Sequence, residues 1–204
     1  MDWNDHAATW DEDPAVRSYA EGAFDALTRI LQRESIELAG LRVLDFGCGT
    51  GLLTESLATA AAQVVGLDPA TRMIEVLRTK LQARGWTHVH AVADTLEGAT
   101  AREYSPVAGP FDLVVCSSVC AFLPDYPGTV ADLAGRLAPG GLFVQFDWER
   151  NDDDAEPYGL SRIEIHEALA HAGLTAVSVE VGFERPMGDM TMRPLAGTGR
   201  RSAN

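Results

Sequence analysis

The sequence predicts an α/β protein built on a doubly wound, mostly parallel sheet. Three observations predict it. From about residue 41 to residue 173, short apolar runs alternate with helix-like repeats, the pattern of βαβ units. Gly47, Gly49 and Gly51 sit where the first apolar run meets the first helical repeat. Near the end, two strand-like segments flank a Pro-Met-Gly-Asp turn and read as an antiparallel hairpin.

Taken in order, Asp13-Pro14 predicts a helix start, a capping carboxylate followed by proline at the first helical position. Val16, Tyr19, Ala20, Ala23, Phe24, Leu27, Ile30 and Leu31 recur behind it at helical spacing, and Gly40 ends the segment. LRVLDF is a short buried strand, with a helix after the glycines to about Ala61. QVVGLD is a second strand; 69–84 is a helix with Met73, Ile74, Leu77 and Leu81 inward. HVHAVAD is a third strand and FDLVVCS a fourth. A helix over 128–137 leads through the turn APGG into a fifth strand, LFVQFDW. Ser161 and Glu164 have capping-box spacing, and the helix they open stops at Gly173. TAVSVEVGF and a weaker strand around DMTMRPLA form the hairpin, and the tail GTGRRSAN reads as disordered.

A length of 204 residues suits one domain, 1–204, with 1–38 as an N-terminal helical cap or lid. No run approaches the roughly 20 apolar residues of a membrane helix. The acidic N-terminus lacks an apolar signal core, so the expected address is the cytoplasm. A formal net charge of −14 makes nucleic acid and anionic membrane poor partners. The acidic patches, Asp2 to Asp13 and Asp152, Asp153 and Asp154, read as solvated surface, or else as attraction for a cationic ligand. Cys48, Cys116 and Cys120 form no metal or disulfide pattern, and the last two read as buried small hydrophobes. No metal is expected.

Three glycines cost chain entropy, and such a cost usually serves a close approach to the backbone. The dinucleotide fingerprint G-x-G-x-x-G would place Leu52 at its third glycine, where a side chain obstructs that approach. A phosphate loop needs a lysine that this turn lacks. The spacing present is D-x-G-x-G-x-G, as DFGCGTG.

DFGCGTG resembles the first motif of the class I S-adenosylmethionine-dependent methyltransferases. GLDPATRMIEVL is similar to the second motif of that family, AVADTLE to the third, FDLVVCSSVCAFLPD to the fourth and LAPGGLFVQF to the later strand motif. The resemblance implies a Rossmann-like sheet of seven strands whose last pair is antiparallel. It also implies S-adenosyl-L-methionine as cofactor, with S-adenosyl-L-homocysteine as product.

The physical chemistry agrees. The methionine carboxylate suits the positive end of the helix starting near Gly51. Asp68 follows Gly49 by 19 residues at a strand end, where a carboxylate can accept both ribose hydroxyls; its alternative is a helix cap beside Pro69. By resemblance Asp94 binds the adenine amine, with Thr95 and Leu96 bracketing the ring; its alternative is a turn residue. Met73 packs on adenine or simply in the core. Asp45 orders the glycine turn and faces the methionine amine. Ser117 and Ser118 face the methionine part or tie off a turn.

Methyl transfer is an in-line displacement for which the protein aligns the nucleophile and excludes water. Trp3, Ala7 and Trp10 match a W-x-x-x-A-x-x-W/Y pattern similar to the opening of small-molecule methyltransferases of the quinone-biosynthesis type. Trp10 and Tyr19 are lid candidates, or pack the first helix on the sheet. The catalytic residue is left open, with His6, Cys120 and Tyr19 as candidates. Phe122, Tyr126, Trp148, Glu149 and Arg193 are further pocket candidates. Many members of the resembled family carry a histidine in the loop after the fourth strand, where this chain has Val119, Cys120 or Ala121, and that departure favours a nucleophile needing little activation.

The expectation is methyl transfer to a small, neutral or cationic acceptor by a monomer or homodimer. The alternatives are a cofactor-binding regulator without catalysis and an NAD-dependent oxidoreductase, against which Leu52 argues.

Overall fold

Asp13 Oδ1 accepts the Ala15 N–H at 2.7 Å and Pro14 opens helix α1 (Pro14–Arg33), as the sequence predicts. This computed structural model describes residues 2–101, 105–151, 158–188 and 190–203. Asp152, Asp153 and Asp154, and Asp189 of the hairpin turn, lie outside the described residues.

The chain divides into two compact units, 1–109 and 110–204. In the first, α1 buries Tyr19, Ala23, Leu27, Ile30 and Leu31 of the expected stripe, together with Gly22 and Ala26, while Val16, Ala20 and Phe24 are half-buried. Then come β1 (Arg42–Phe46), α2 (Leu52–Ala58), β2 (Gln63–Asp68), α3 (Thr71–Arg84), β3 (Val89–Ala93) and α4 (Leu96–Thr100). Strands β1/β2 and β2/β3 pair in parallel. Two backbone choices let helices press on this sheet. A Cβ at Gly66 of β2 would come within 3.0 Å of Cys48 Sγ, and one at Gly51 within 2.3 Å of Leu77 Cδ1.

The second unit holds β4 (Phe111–Ser117), α5 (Tyr126–Ala134), β5 (Leu137–Asp147), α6 (Arg162–His171), β6 (Thr175–Val181), β7 (Arg185–Met187), β8 (Met190–Met192) and β9 (Leu195–Arg200). Ser161 and Glu164 form the expected capping box of α6. The APGG segment is part of β5 rather than a turn before it. It enters the strand through a register shift opposite Phe111 and Leu113, where Gly140 takes φ +78°.

Seven strands form one sheet in the order β3-β2-β1-β4-β5-β9-β6. Its one reversed strand is β9, antiparallel to both β5 and β6. The seven-stranded, mostly parallel sheet is as expected, but two further local assignments are corrected. The partner of TAVSVEV is LAGTGR, not DMTM, which instead pairs with RPM in a separate two-stranded hairpin. The segment GTGR, read as disordered, is strand. Glycine disfavours strands, yet a Cβ at Gly197 would meet Ile165 Cγ2 at 2.5 Å and one at Gly199 would meet Leu174 Cβ at 2.9 Å. Small residues are needed where α6 and the segment after it cross β9. Among the described residues no helix is long and apolar enough to cross a membrane.

Candidate active site

The glycine turn is built by left-handed backbone. Gly47, Gly49 and Gly51 have φ of +71°, +55° and +87°, a region side chains occupy at a cost. The Gly47 and Cys48 N–H groups both donate to Leu67 O, at 2.8 and 3.2 Å, pinning the turn to the end of β2. The Gly49 N–H donates to Asp68 Oδ2 at 3.0 Å, while the Ala70 N–H donates to Asp68 Oδ1 at 2.8 Å. Asp68 therefore clasps the glycine turn and ties it to Ala70, the residue before α3, without capping that helix through its side chain. Each of its oxygens has lone pairs left for further donors. Burial raises its carboxyl above the ordinary range against the opposing effect of the Ala70 and Gly49 bonds. A Cβ at Gly49 would meet nothing within 4 Å, so this glycine faces open space.

Asp45, 1% exposed, accepts from Thr54 Oγ1 at 2.5 Å. Burial pushes its carboxyl up to about 7. Asp94 Oδ1 accepts the Thr95 N–H at 2.9 Å, and Thr95 Oγ1 in turn accepts the Gly98 N–H. Asp94 and Leu96 are half-buried, and Thr95 and Pro69 exposed.

The N-terminal segment packs within the first unit through its tryptophans, through Asp11, and through Asn4 Oδ1, which accepts the Arg72 N–H at 2.9 Å. Trp3 and Trp10 stack edge-to-face at 5.7 Å and pack with Ala7 against Ala70 and Met73. Asp11 reaches the glycine turn: Thr50 Oγ1 donates to its Oδ1 at 2.5 Å, and Lys80 Nζ lies 2.6 Å from its Oδ2. The sequence reading missed this junction, because residues 39 and 69 apart carry no local pattern linking them. Met73 is 2% and Tyr19 7% exposed, so both pack as core side chains. Exposed His6 lies edge-on to Trp3 and Trp10, with ring centroids 6.5 and 6.4 Å away.

In the second unit, Ser117 ends β4 and Ser118 takes φ +55° while its N–H donates to Phe146 O at 2.7 Å. Cys120 is 1% exposed, and burial raises its thiol well above its ordinary value. A thiol held protonated is a poor base or nucleophile. Tyr126 donates to Gln145 Oε1 at 2.8 Å, and burial pushes its phenol far up. Glu149 pairs with Arg162, and Arg193 with Glu184.

Two residues here were not singled out from sequence. Asp147, fully buried at the end of β5, accepts the Ala121 N–H at 3.2 Å and so holds the turn Cys120–Phe122. Burial pushes its carboxyl up to about 7 against that bond and bonds from Cys120. Tyr158 stacks on Phe122 with ring centroids 5.5 Å apart, and its hydroxyl is hydrogen-bonded to the Ser118 side chain. An isolated tyrosine beside an acidic run carries no sequence signal.

Residues 44–143 match a family model described as a methyltransferase domain. A ubiquinone biosynthesis O-methyltransferase from Aromatoleum aromaticum is 40% identical over 104 residues, covering 51% of this chain and 42% of that protein. The match thus spans less than half the length of that relative. A crystal structure of an S-adenosylmethionine-dependent methyltransferase from Clostridium acetobutylicum is similar over 98% of this chain and 99% of that one, with TM-score 0.70 and 15% identity. Magnesium protoporphyrin IX methyltransferase from Synechocystis, solved with bound SAM, is similar over 88% of this chain and 78% of its own, with TM-score 0.65 and 20% identity. The fold is shared with both. Residues 44–143 thus resemble a methyltransferase domain, and the seven-stranded sheet with its one reversed strand has the fold of these methyltransferase structures.

Proposed function

We propose that this protein transfers a methyl group from S-adenosylmethionine to a small-molecule acceptor, as one domain over 1–204 with 1–38 as its cap. The observation that carries the reading is the clasp between the Gly49 N–H and Asp68. It holds a left-handed turn open on one side at a strand end, where ligands of α/β sheets bind. The same residues fit the cofactor chemically. Asp68 has acceptor capacity left for a pair of hydroxyls, and neighbouring Asp45 and Asp68 suit a cationic ligand. When bound, that cofactor supplies an electrophilic methyl group on a sulfonium.

In this proposal Gly47, Gly49 and Gly51 border the methionine part and Asp45 steadies the turn through Thr54. Asp68 and Pro69 take the ribose side, Asp94, Thr95 and Leu96 the adenine side, and Ser117 the methionine amine. Trp10 shields the site from water. The burial of Met73 and Tyr19 supports a packing role for both behind the cofactor. No residue is put forward as an obligatory base. The raised Cys120 thiol speaks against that residue, and the chain's role is to orient the acceptor. The names of the curated relatives support an oxygen acceptor.

The test is calorimetric titration with S-adenosylmethionine, S-adenosylhomocysteine and NAD, beside Asp68→Ala. Micromolar binding of both sulfur compounds, weakened at least about ten-fold in the variant and absent for NAD, is expected. NAD binding alone would overturn the reading, and sulfur-cofactor binding without transfer to any acceptor would mark a regulator.

A further inference from the structure

Among the described residues, four large hydrophobic side chains stand well exposed: Phe122, Tyr158, Ile163 and Met190. Two of them, Phe122 at 41% and Tyr158 at 43%, are packed on each other, with rings tilted by 48°. Exposed aromatic surface is costly unless it is used. The chain also spends conformational strain to build it. Leu160 N–H donates to Trp148 O at 2.9 Å and Arg150 N–H to Leu160 O at 3.0 Å, so the chain returns alongside the end of β5. Gly159 permits this at φ +100°, where a Cβ would lie 2.3 Å from Trp148 O. Ser118, a non-glycine residue in the left-handed region, presents its side chain to the Tyr158 hydroxyl. Behind both, buried Asp147 fixes the turn that carries Phe122.

We propose that Phe122, Tyr158 and Ser118 form the acceptor-binding wall of this protein, and that the wall takes a planar ring bearing an uncharged or cationic hydrogen-bond donor and rejects a carboxylated ring. This rests on the methyltransferase reading and extends it to the acceptor. The two rings supply a face on which a planar group stacks and toward which a cation is drawn. The Ser118 and Tyr158 hydroxyls can accept from the ligand's donor. The sign of charge follows from the neighbours. Asp147 lies close enough to influence the Tyr158 phenol, which burial, with this carboxyl second, pushes up to about 12. Nearby arginines are engaged by carboxylates, Arg150 by Glu164 at 2.7 Å and Arg162 by Glu149 at 2.8 Å. An anionic ring would find both of these arginines already paired.

The full chain, saturated with S-adenosylhomocysteine, would be titrated by NMR with phenol, benzylammonium, benzoate and cyclohexylmethylammonium as probes. Phenol and benzylammonium are expected to bind and to shift the Tyr158 ring signals. Benzoate and the non-aromatic ammonium should bind about ten-fold more weakly or not at all. Phe122→Ala and Tyr158→Ala should each weaken the two ring donors by about ten-fold and leave S-adenosylhomocysteine binding unchanged. Should either alanine variant misfold, Tyr158→Phe serves instead, keeping the stack and losing the preference for phenol over benzene. Benzoate binding as tightly as phenol, or no probe binding to a protein that holds S-adenosylhomocysteine, overturns the proposal. Failure to bind S-adenosylhomocysteine overturns the cofactor reading instead.

Discussion

Thr50 Oγ1 donates to Asp11 Oδ1 at 2.5 Å, joining the glycine turn to the N-terminal segment. Lys80 completes the junction, 2.6 Å from Asp11 and 2.9 Å from Glu55. Thr50 is 1% exposed, so losing Asp11 strands a buried hydroxyl. The Lys80 and Asp11 side chains are 20% and 30% exposed, so solvent screening reduces the ionic part. Asp11→Ala should cost about 1–2 kcal/mol and free residues 3–12 to exchange. Asp11→Asn should cost less, because its amide oxygen still accepts from Thr50. Hydrogen exchange over that segment checks this, and unchanged protection in Asp11→Ala would show that the tryptophan packing and the Asn4–Arg72 bond suffice to hold it.

Gly49→Ala and Gly51→Ala should separate ligand binding from folding. Both put a side chain into left-handed backbone, a cost of about 1–2 kcal/mol. Only Gly51→Ala also drives a Cβ into buried Leu77, so its loss should reach about 3 kcal/mol with overpacking included. Gly49→Ala projects into open space, so it should remain folded and lose affinity for S-adenosylmethionine. Denaturant melts and calorimetry on the pair decide it; equal destabilisation would contradict the Leu77 contact.

Asp147 should leave a mark on stability against pH. Its folded carboxyl lies at about 7, above the unfolded value of 3.8. The folded state therefore holds the extra proton between those values, and stability from this group is present at low pH and falls as pH rises toward 7. The slope in mid-window is about 1.4 kcal/mol per pH unit. Asp147→Asn, which still accepts the Ala121 N–H, should flatten the curve by that amount between about pH 4 and 7. Urea unfolding of both proteins at pH 5 and pH 7 measures it. Parallel wild-type and variant curves would count against a raised Asp147.

The capping box of α6 gives a local control. Ser161 Oγ accepts the Glu164 N–H at 3.2 Å and Glu164 Oε2 accepts the Ser161 N–H at 2.8 Å. Ser161→Ala should lower stability by about 1 kcal/mol and leave cofactor binding unchanged. A shift in S-adenosylhomocysteine affinity would show that α6 is coupled to the site.

By itself the sequence determined the α/β class, the glycine turn and most element boundaries. These follow from short-range chemistry: Asp13 and Ser161 cap their own helices, and strands such as FDLVVCS are continuous apolar runs. Asp68 was singled out by its motif at the end of the second strand, and its bond from the Gly49 N–H places it beside the glycine turn. Tertiary structure decided the rest. LAGTGR is a strand despite the poor strand propensity of its glycines, because α6 at Gly197 and Leu174 at Gly199 leave room only for small residues. Asp11 finds Thr50 and Lys80, and Tyr158 finds Phe122 and Ser118, only after the chain returns through space. Asp147 acquires its raised carboxyl from burial that no neighbouring residue in the sequence announces. Local backbone preference is written residue by residue, whereas burial and charge environment belong to groups that meet across long stretches of chain.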